Sequence, residues 1–360
     1  MGAINIKSYE ESAMENIIAM DVASEVTCVC AVNKRGKTIF EGSVATEIPA
    51  LREMIRKVPR HRTLVFEEGC QAEWLWSELQ PVCDDVLVCD PRANRQRGQK
   101  SDRIDARKLA ERARLGALNR VWHAGKELQD LRQAVFSYRT LTTHSIRVKN
   151  QIKGVFRSWG VRGGGGAYEP ETRRKTVSKL PTKASRSRTD RLAKLLDVVT
   201  EERETALVEM IKLARQRPRY KEFRTIDGIG PKFGAFLVAT LGDANRFRTR
   251  KQLWAYSGLA IVTHDTGQYE VVDGNIRRKN RQVQTRGLVR TYNRTLKYVF
   301  KQAAMTLSRT KWKEYYNSLL ERSKNANNAQ LTLARKLATI VLHIAKTGGK
   351  YDVTKAFKKQ

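Results

Sequence analysis

Asp102 and Asp105 stand three residues apart in Lys100-Ser101-Asp102-Arg103-Ile104-Asp105-Ala106-Arg107, a spacing that puts both on one face of a helix. Arg97, Lys100, Arg103 and Arg107 surround them. Carboxylates bind Mg²⁺ and a basic rim binds phosphate, so these are the residue types of a metal-dependent phosphodiester enzyme. The plainer reading makes Asp102 a helix-capping or first-turn acid and Asp105 a surface ion-pair partner. Two more acids favour the metal. Asp21 lies near the end of the apolar run Ile17-Ile18-Ala19-Met20-Asp21-Val22-Ala23, and Glu67 ends Thr63-Leu64-Val65-Phe66-Glu67. Neighbouring strands over these runs bring Asp21 and Glu67 out at one sheet edge, where the Asp102–Asp105 helix can pack. Glu68 is as good a candidate as Glu67 by position alone. Four carboxylates at close range repel unless cations bind between them. Two Mg²⁺ ions about 4 Å apart would activate an attacking oxygen and stabilise a leaving one.

The elements that must position these acids are legible in the hydrophobic periods. Three short strands are expected over 17–23, 26–32 and 38–44, with a turn at Gly36 that needs a positive φ. A helix over 47–58, a strand over 63–67, a helix through Trp74 and Leu79, and a strand over 85–89 follow. The order βββαβαβ plus an acidic helix is that of an α/β RNase H-like (RuvC-like) domain, assigned to residues 1–120. Residues 1–16 read as a polar, frayed lead-in. A mostly α coiled-coil arm is expected over 121–218. Its two helices run from Leu128 to Phe156 and from Asp190 to about Arg217. Between them, Gly163-Gly164-Gly165-Gly166 reads as a flexible linker or a hairpin tip. The basic stretch Lys175–Arg191 reads as disordered until an acidic partner arrives.

An α-helical C-terminal domain with a helix-hairpin-helix is expected over 219–360. Gly228-Ile229-Gly230 permits a tight turn, and backbone N–H groups beside Lys232 suit DNA phosphate. From Gly274 to Lys301 there is no acid. Arg277, Arg278, Lys279 and Arg281 there, with Tyr292 and Tyr298 at helical spacing further on, suit a nucleic-acid face.

Bulk composition agrees. The 360 residues hold 69 Lys+Arg against 37 Asp+Glu, a formal net charge of +32, which calls for a polyanionic partner. Nucleic acid is the common one, although a ribosome or a membrane surface fits the charge too. No apolar run reaches the roughly 18 residues of a spanning helix, and no signal-peptide core is present, so a cytoplasmic protein is expected. Five cysteines lack metal-like pairing. Cys28 and Cys30 share a strand face and read as small hydrophobes in a reducing compartment. The five histidines form no zinc signature.

With these acids, the hairpin, and the later segment Ala255-Tyr256-Ser257-Gly258-Leu259, the chain resembles the DEDD-type insertion-sequence transposases from about residue 17 to 352. That family includes Piv-type DNA invertases and bridge-RNA-guided recombinases. Ala334-Arg335-Lys336-Leu337-Ala338 and Tyr351-Asp352 resemble its C-terminal end. The resemblance implies a prokaryotic, nucleoid-associated DNA recombinase of a mobile element. It further implies an RuvC-like domain holding Mg²⁺ through Asp21, Glu67, Asp102 and Asp105, a guide RNA, and a homo-oligomer (dimer or tetramer). The family's nucleophilic serine falls on Thr266, in Thr266-Gly267. Three readings stay open: Thr266 attacks phosphorus, Ser257 substitutes, or strand transfer is lost. The family's Lys-x-Gly turn is replaced by Lys279-Asn280-Arg281. Other classes that fit the acids are a structure-specific RuvC-like nuclease and a non-catalytic nucleic-acid-binding descendant.

Overall fold

A computed structural model describes residues 16–94, 101–264, 269–272, 275–278 and 284–354. Arg97, Lys100, Thr266, Lys279 and Arg281 lie outside the described residues, as does the expected frayed lead-in up to residue 15. The chain divides into two compact units, Met1–Lys126 and Glu127–Gln360.

The first unit is a mixed α/β layer structure. Its strands are β1 (Asn16–Val22), β2 (Val26–Asn33), β3 (Thr38–Ala45), β4 (Arg62–Glu67) and β5 (Asp85–Cys89). They form one five-stranded sheet in the order β3-β2-β1-β4-β5. Strand β1 pairs antiparallel with β2 and parallel with β4, with Met20 opposite Phe66. Side chains alternate across a strand, so each strand feeds two layers. Ile18, Met20, Leu64 and Phe66 pack with helices α1 (Ile48–Lys57) and α2 (Ala72–Leu79). Ile17, Ala19, Cys30 and Val65 pack on the other side. A short helix α3 (Pro91–Asn94) is followed by α4 (Asp102–Arg114), which covers that second side. Ala106, Ala110 and Ala113 let α4 sit close to the sheet, and Leu109 fills the remaining space. The turn after β2 has Gly36 at φ +80°, as its position requires, and Asn33 Oδ1 accepts from Arg35 N and Lys37 N. Cys30 is buried and Cys28 half-buried on the α4 side.

The second unit begins with α5 (Lys126–Ser158) and returns through α7 (Lys183–Arg215). The two run antiparallel. Leu131 and Val135 of α5 pack with Met210 and Ala214 of α7, while Val148 and Ile152 pack with Ala193 and Leu196. Two expectations about their junction are corrected. The glycine run is not slack chain but a turn packed against its neighbours. Gly163 takes φ +83°, and a Cβ on Gly164 would lie 2.8 Å from the Phe156 ring. The basic stretch Lys175–Arg191 is not disordered. Helix α6 (Pro170–Val177) and the start of α7 account for most of it, and Val177, Leu180 and Thr189 are buried. Arg173 binds both oxygens of Asp197 at 2.7 and 2.6 Å. The Thr182 hydroxyl caps α7 by accepting from Ser185 N at 3.1 Å.

The rest of the unit is α8 (Pro218–Phe223), α9 (Pro231–Leu241), α10 (Arg250–Tyr256), four short strands, α11 (Arg294–Leu307), α12 (Lys313–Ser323) and α13 (Ala326–Thr347). Phe236, Phe300 and Leu337 sit in its core. The basic stretch from Gly274 to Lys301 is not one helix. Strands β6 (Ile261–His264) and β9 (Gln284–Leu288) pair, as do β7 (Tyr269–Val272) and β8 (Asn275–Arg278). Helix α11 starts only at Arg294, where Asn293 Oδ1 accepts from Leu296 N at 3.0 Å. No helix among the described residues is long and apolar enough to cross a membrane.

Candidate active site

The two-residue period of the strands places the acids. Asp21 continues the Ile17–Ala19 side of β1, and Glu67 continues the Val65 side of β4, so both belong to the side that α4 covers. Because β1 and β4 are parallel neighbours, the two acids lie at the same end of the sheet. Helix α4 begins with Asp102. Its Ser101 N-cap hydroxyl accepts from Ile104 N at 3.3 Å. Asp102 and Asp105 thus stand in the first turn, where the helix dipole favours negative charge.

The electrostatics register this convergence. Burial first, and then the carboxylates of Asp102, Asp105 and Glu67 in that order, together raise the Asp21 carboxyl to about 6. Among the described residues, no three acidic, histidine or cysteine side chains are drawn tightly enough together to ligate one ion as they stand. The donor chemistry nonetheless fits a hard divalent cation. All four groups offer carboxylate oxygens, and the burial and mutual field that disfavour the Asp21 carboxylate are what a bound cation would offset.

The structure also separates Glu67 from Glu68. Glu68 Oε2 lies 2.7 Å from His123 Nε2, and the imidazole stacks on Trp76 at 5.9 Å with 24° between the planes. Glu67, not Glu68, acts on Asp21. His123 was missed in the sequence. It stands far along the chain from Glu68 and belongs to no motif.

Arg103 and Arg107 turn to the edge of the sheet. Arg103 Nε lies 3.2 Å from Glu41 on β3, and Arg107 Nη2 lies 2.7 Å from the same carboxylate. That hydrogen bond from Arg107 holds the Glu41 carboxyl below its usual range.

In the second unit, Gly228 takes φ +78°, and a Cβ there would lie 3.1 Å from Leu307 and 3.3 Å from the Ala303 carbonyl. Gly230 directly precedes Pro231, the first residue of α9. Arg224 Nη1 donates to Ile229 O at 2.7 Å and braces the loop. The Lys232 ammonium lies over Phe233 and Tyr298 at 5.2 and 5.9 Å. Arg277 is exposed on β8, next to Arg278.

Helix α10 ends in a corner that the sequence pattern only hints at. Gly258 takes φ +66° while Leu259 N donates to Trp254 O at 2.7 Å and Gly258 N to Ala255 O at 3.0 Å. Arg335, in the C-terminal Ala-Arg-Lys-Leu-Ala segment, clamps this corner by donating to Leu259 O at 2.8 and 2.6 Å. Ser257 is fully buried, and its hydroxyl donates to Leu253 O at 2.6 Å. It has no access to a DNA phosphate in this fold.

Residues 18–159 match a family model described as a transposase, of the IS110 DEDD type. Residues 220–317 match the model of the transposase IS116/IS110/IS902 family. Similar relatives include a family 20 transposase of Pseudomonas aeruginosa, 25% identical over 90% of this chain and 95% of that one. Another is the transposase for insertion sequence element IS1111A of Coxiella burnetii, 24% identical over 90% of this chain and 88% of that one. With two matched stretches that follow each other along the chain and transposase relatives covering nine-tenths of it, this protein belongs to the IS110 family of DEDD transposases.

Proposed function

We propose that the protein cleaves and rejoins DNA as the recombinase of an insertion sequence. The raised Asp21 carboxyl, in the shared field of Glu67, Asp102 and Asp105, is the observation that carries this reading. Residues 1–120 are assigned as an RNase H-like (RuvC-like) catalytic domain, 121–218 as the arm and 219–360 as the C-terminal transposase domain. Asp21, Glu67, Asp102 and Asp105 would hold Mg²⁺. The ion would supply a Lewis acid for the scissile phosphate and neutralise charge that builds on its oxygens. The acids themselves orient the phosphate's surroundings, and His123 keeps Glu68 out of the group by binding it.

The C-terminal domain supplies the hydroxyl and grips the DNA. Thr266 Oγ1 gives up its proton and forms a bond to phosphorus as the phosphorus–deoxyribose oxygen bond breaks, and the departing oxygen takes up a proton in its place. The product is a threonyl–DNA ester. Ser257 is set aside because its hydroxyl is buried and bonded to Leu253 O. The Gly228–Gly230 loop and the backbone N–H groups that follow Pro231 at the start of α9 act as a helix-hairpin-helix phosphate grip, with Lys232 adding charge. Arg97, Lys100, Arg103, Arg107, Arg277, Arg278, Lys279 and Arg281 complete the nucleic-acid contacts. The protein works as a homo-oligomer on element ends and target DNA. Its large basic surface carries no obvious base-reading motif, which suits target choice by a guide RNA.

The test incubates the protein with the element's DNA ends, the adjoining non-coding RNA and Mg²⁺, and scores covalent protein–DNA adducts on denaturing gels. Wild type and Ser257→Ala give adducts; Thr266→Ala gives none. An undiminished adduct in Thr266→Ala, or none in wild type, sinks the nucleophile assignment. Cleavage without any adduct points instead to a hydrolytic nuclease.

A further inference from the structure

We propose that the outer end of the arm, around Trp159 and the α6–α7 junction, is a binding site for unpaired nucleotides of a single-stranded nucleic acid. The site lies in the other compact unit from the four acids and does not depend on their chemistry.

The first observation is charge. Between Arg147 and Lys194 stand fourteen lysines and arginines against three acids, Glu169, Glu171 and Asp190. All but Lys149 and Arg173 are exposed. Among the described residues only Arg173 is ion-paired, to Asp197. A solvated surface ordinarily intersperses both signs, because like charges repel and loosen the fold. Here the repulsion is tolerated on a knob with its own small core of Val148, Ile152, Phe156, Val177, Leu180 and Leu196. A concentration of positive charge held on an ordered scaffold fits a polyanion.

The second observation is an aromatic in the wrong place for a core. Trp159 is 48% exposed at the end of α5. Its position is set by a tight turn: Trp159 N and Val161 N both donate to Phe156 O, at 3.2 and 3.0 Å, and Gly160 takes φ +65°. Arg157 and Arg162 flank it and are exposed. An exposed indole on a fixed backbone turn in a basic field offers a stacking face for any base. The bases of a duplex are already stacked on each other, so this chemistry selects unpaired nucleotides.

The third observation is a shallow groove on the same knob, lined by Arg173, Arg174, Ser178, Arg186 and Asp190. Arg186 is oriented by donating to Leu180 O at 2.8 Å and Pro181 O at 3.1 Å, which leaves its charge uncancelled. With Arg173 paired to Asp197, the guanidiniums of Arg174 and Arg186 against the one carboxylate of Asp190 still leave a net positive track for a phosphate backbone.

The experiment measures binding of the full chain to fluorescent oligouridylate, oligothymidylate and a duplex, each about 20 nucleotides long. Trp159→Ala weakens single-strand binding by about tenfold and leaves duplex binding unchanged, while Trp159→Phe keeps most of the affinity. Arg174→Gln with Arg186→Gln lowers the slope of log affinity against log salt for single strands by about 1. Loss on uridylate alone assigns the site to RNA, loss on thymidylate alone to displaced DNA, and loss on both to the shared stacking chemistry. Each of these supports the proposal. No loss on either single strand, an equal loss on duplex, or an unchanged salt slope overturns it.

Discussion

Asp21→Asn makes the metal-free protein more stable and nearly inactive. At neutral pH the Asp21 carboxylate is ionised against burial and against Asp102, Asp105 and Glu67. Its folded value, about 6, lies above the unfolded value of 3.8. The stability it contributes is therefore complete below about pH 4 and is lost as pH rises through about 6. Asparagine never ionises, so the variant escapes this loss. The group is half-exposed, and solvent screening leaves a gain of about 1–2 kcal/mol at pH 7. That corresponds to roughly 3–8 °C in the melting of the first unit, vanishing below about pH 4. Strand cleavage falls by at least about a hundredfold, since a group that holds charge at the reacting phosphate is gone. Thermal scans across pH, with and without Mg²⁺, check both parts. Mg²⁺ raises the melting temperature of wild type and has less effect on the variant. If Asp21→Asn destabilises the protein at pH 7, the four acids do not share a field in the native state. If cleavage survives, they are not the catalytic set.

Gly258→Ala costs the second unit about 3 kcal/mol and disables the C-terminal site without touching a reacting atom. At φ +66° an L side chain is strained by about 1–2 kcal/mol. The added Cβ would also meet Tyr292 Cγ at 2.5 Å. Tyr292 cannot retreat freely, because the Lys297 ammonium lies 4.0 Å from its ring centroid and the next residue caps α11. Displacing the ring adds a packing cost of about 1–3 kcal/mol. The corner leads directly from α10 into β6, and β6 leads towards Thr266. The corner is also what Arg335 holds through Leu259 O. Denaturant titration gives the stability loss. The adduct assay at a temperature where the variant is still folded reads the misplacement of Thr266. A Gly258→Ala protein with wild-type stability contradicts the steric argument.

The acids were legible because local rules decide them. Apolar alternation marks β1 and β4, each with a carboxylate at or near its end, and Asp102 and Asp105 share a helical face by spacing alone. The succession of strands and helices along the first unit followed for the same reason, and so did Gly36, whose turn needs a positive φ. The choice between Glu67 and Glu68 was not local. Where β4 ends decides which acid stands on the Asp21 side, and the partner of Glu68, His123, comes from far along the chain. The fates of Arg103 and Arg107 depend on Glu41, on the opposite edge strand from β5. Ser257 looked like a usable hydroxyl in the sequence and is a buried helix-end donor in the fold. The glycine run and the basic stretch after it looked disordered because their composition favours solvent. Long-range burial of Phe156, Val177 and Leu180 outweighs that preference. The sequence by itself determined that carboxylates stand at the ends of two core strands and on one face of a helix, and that the chain is strongly basic, because periodicity and charge are properties of the chain. Only the tertiary structure decided which neighbours each charged group answers to, because those pairings join residues that no local rule connects.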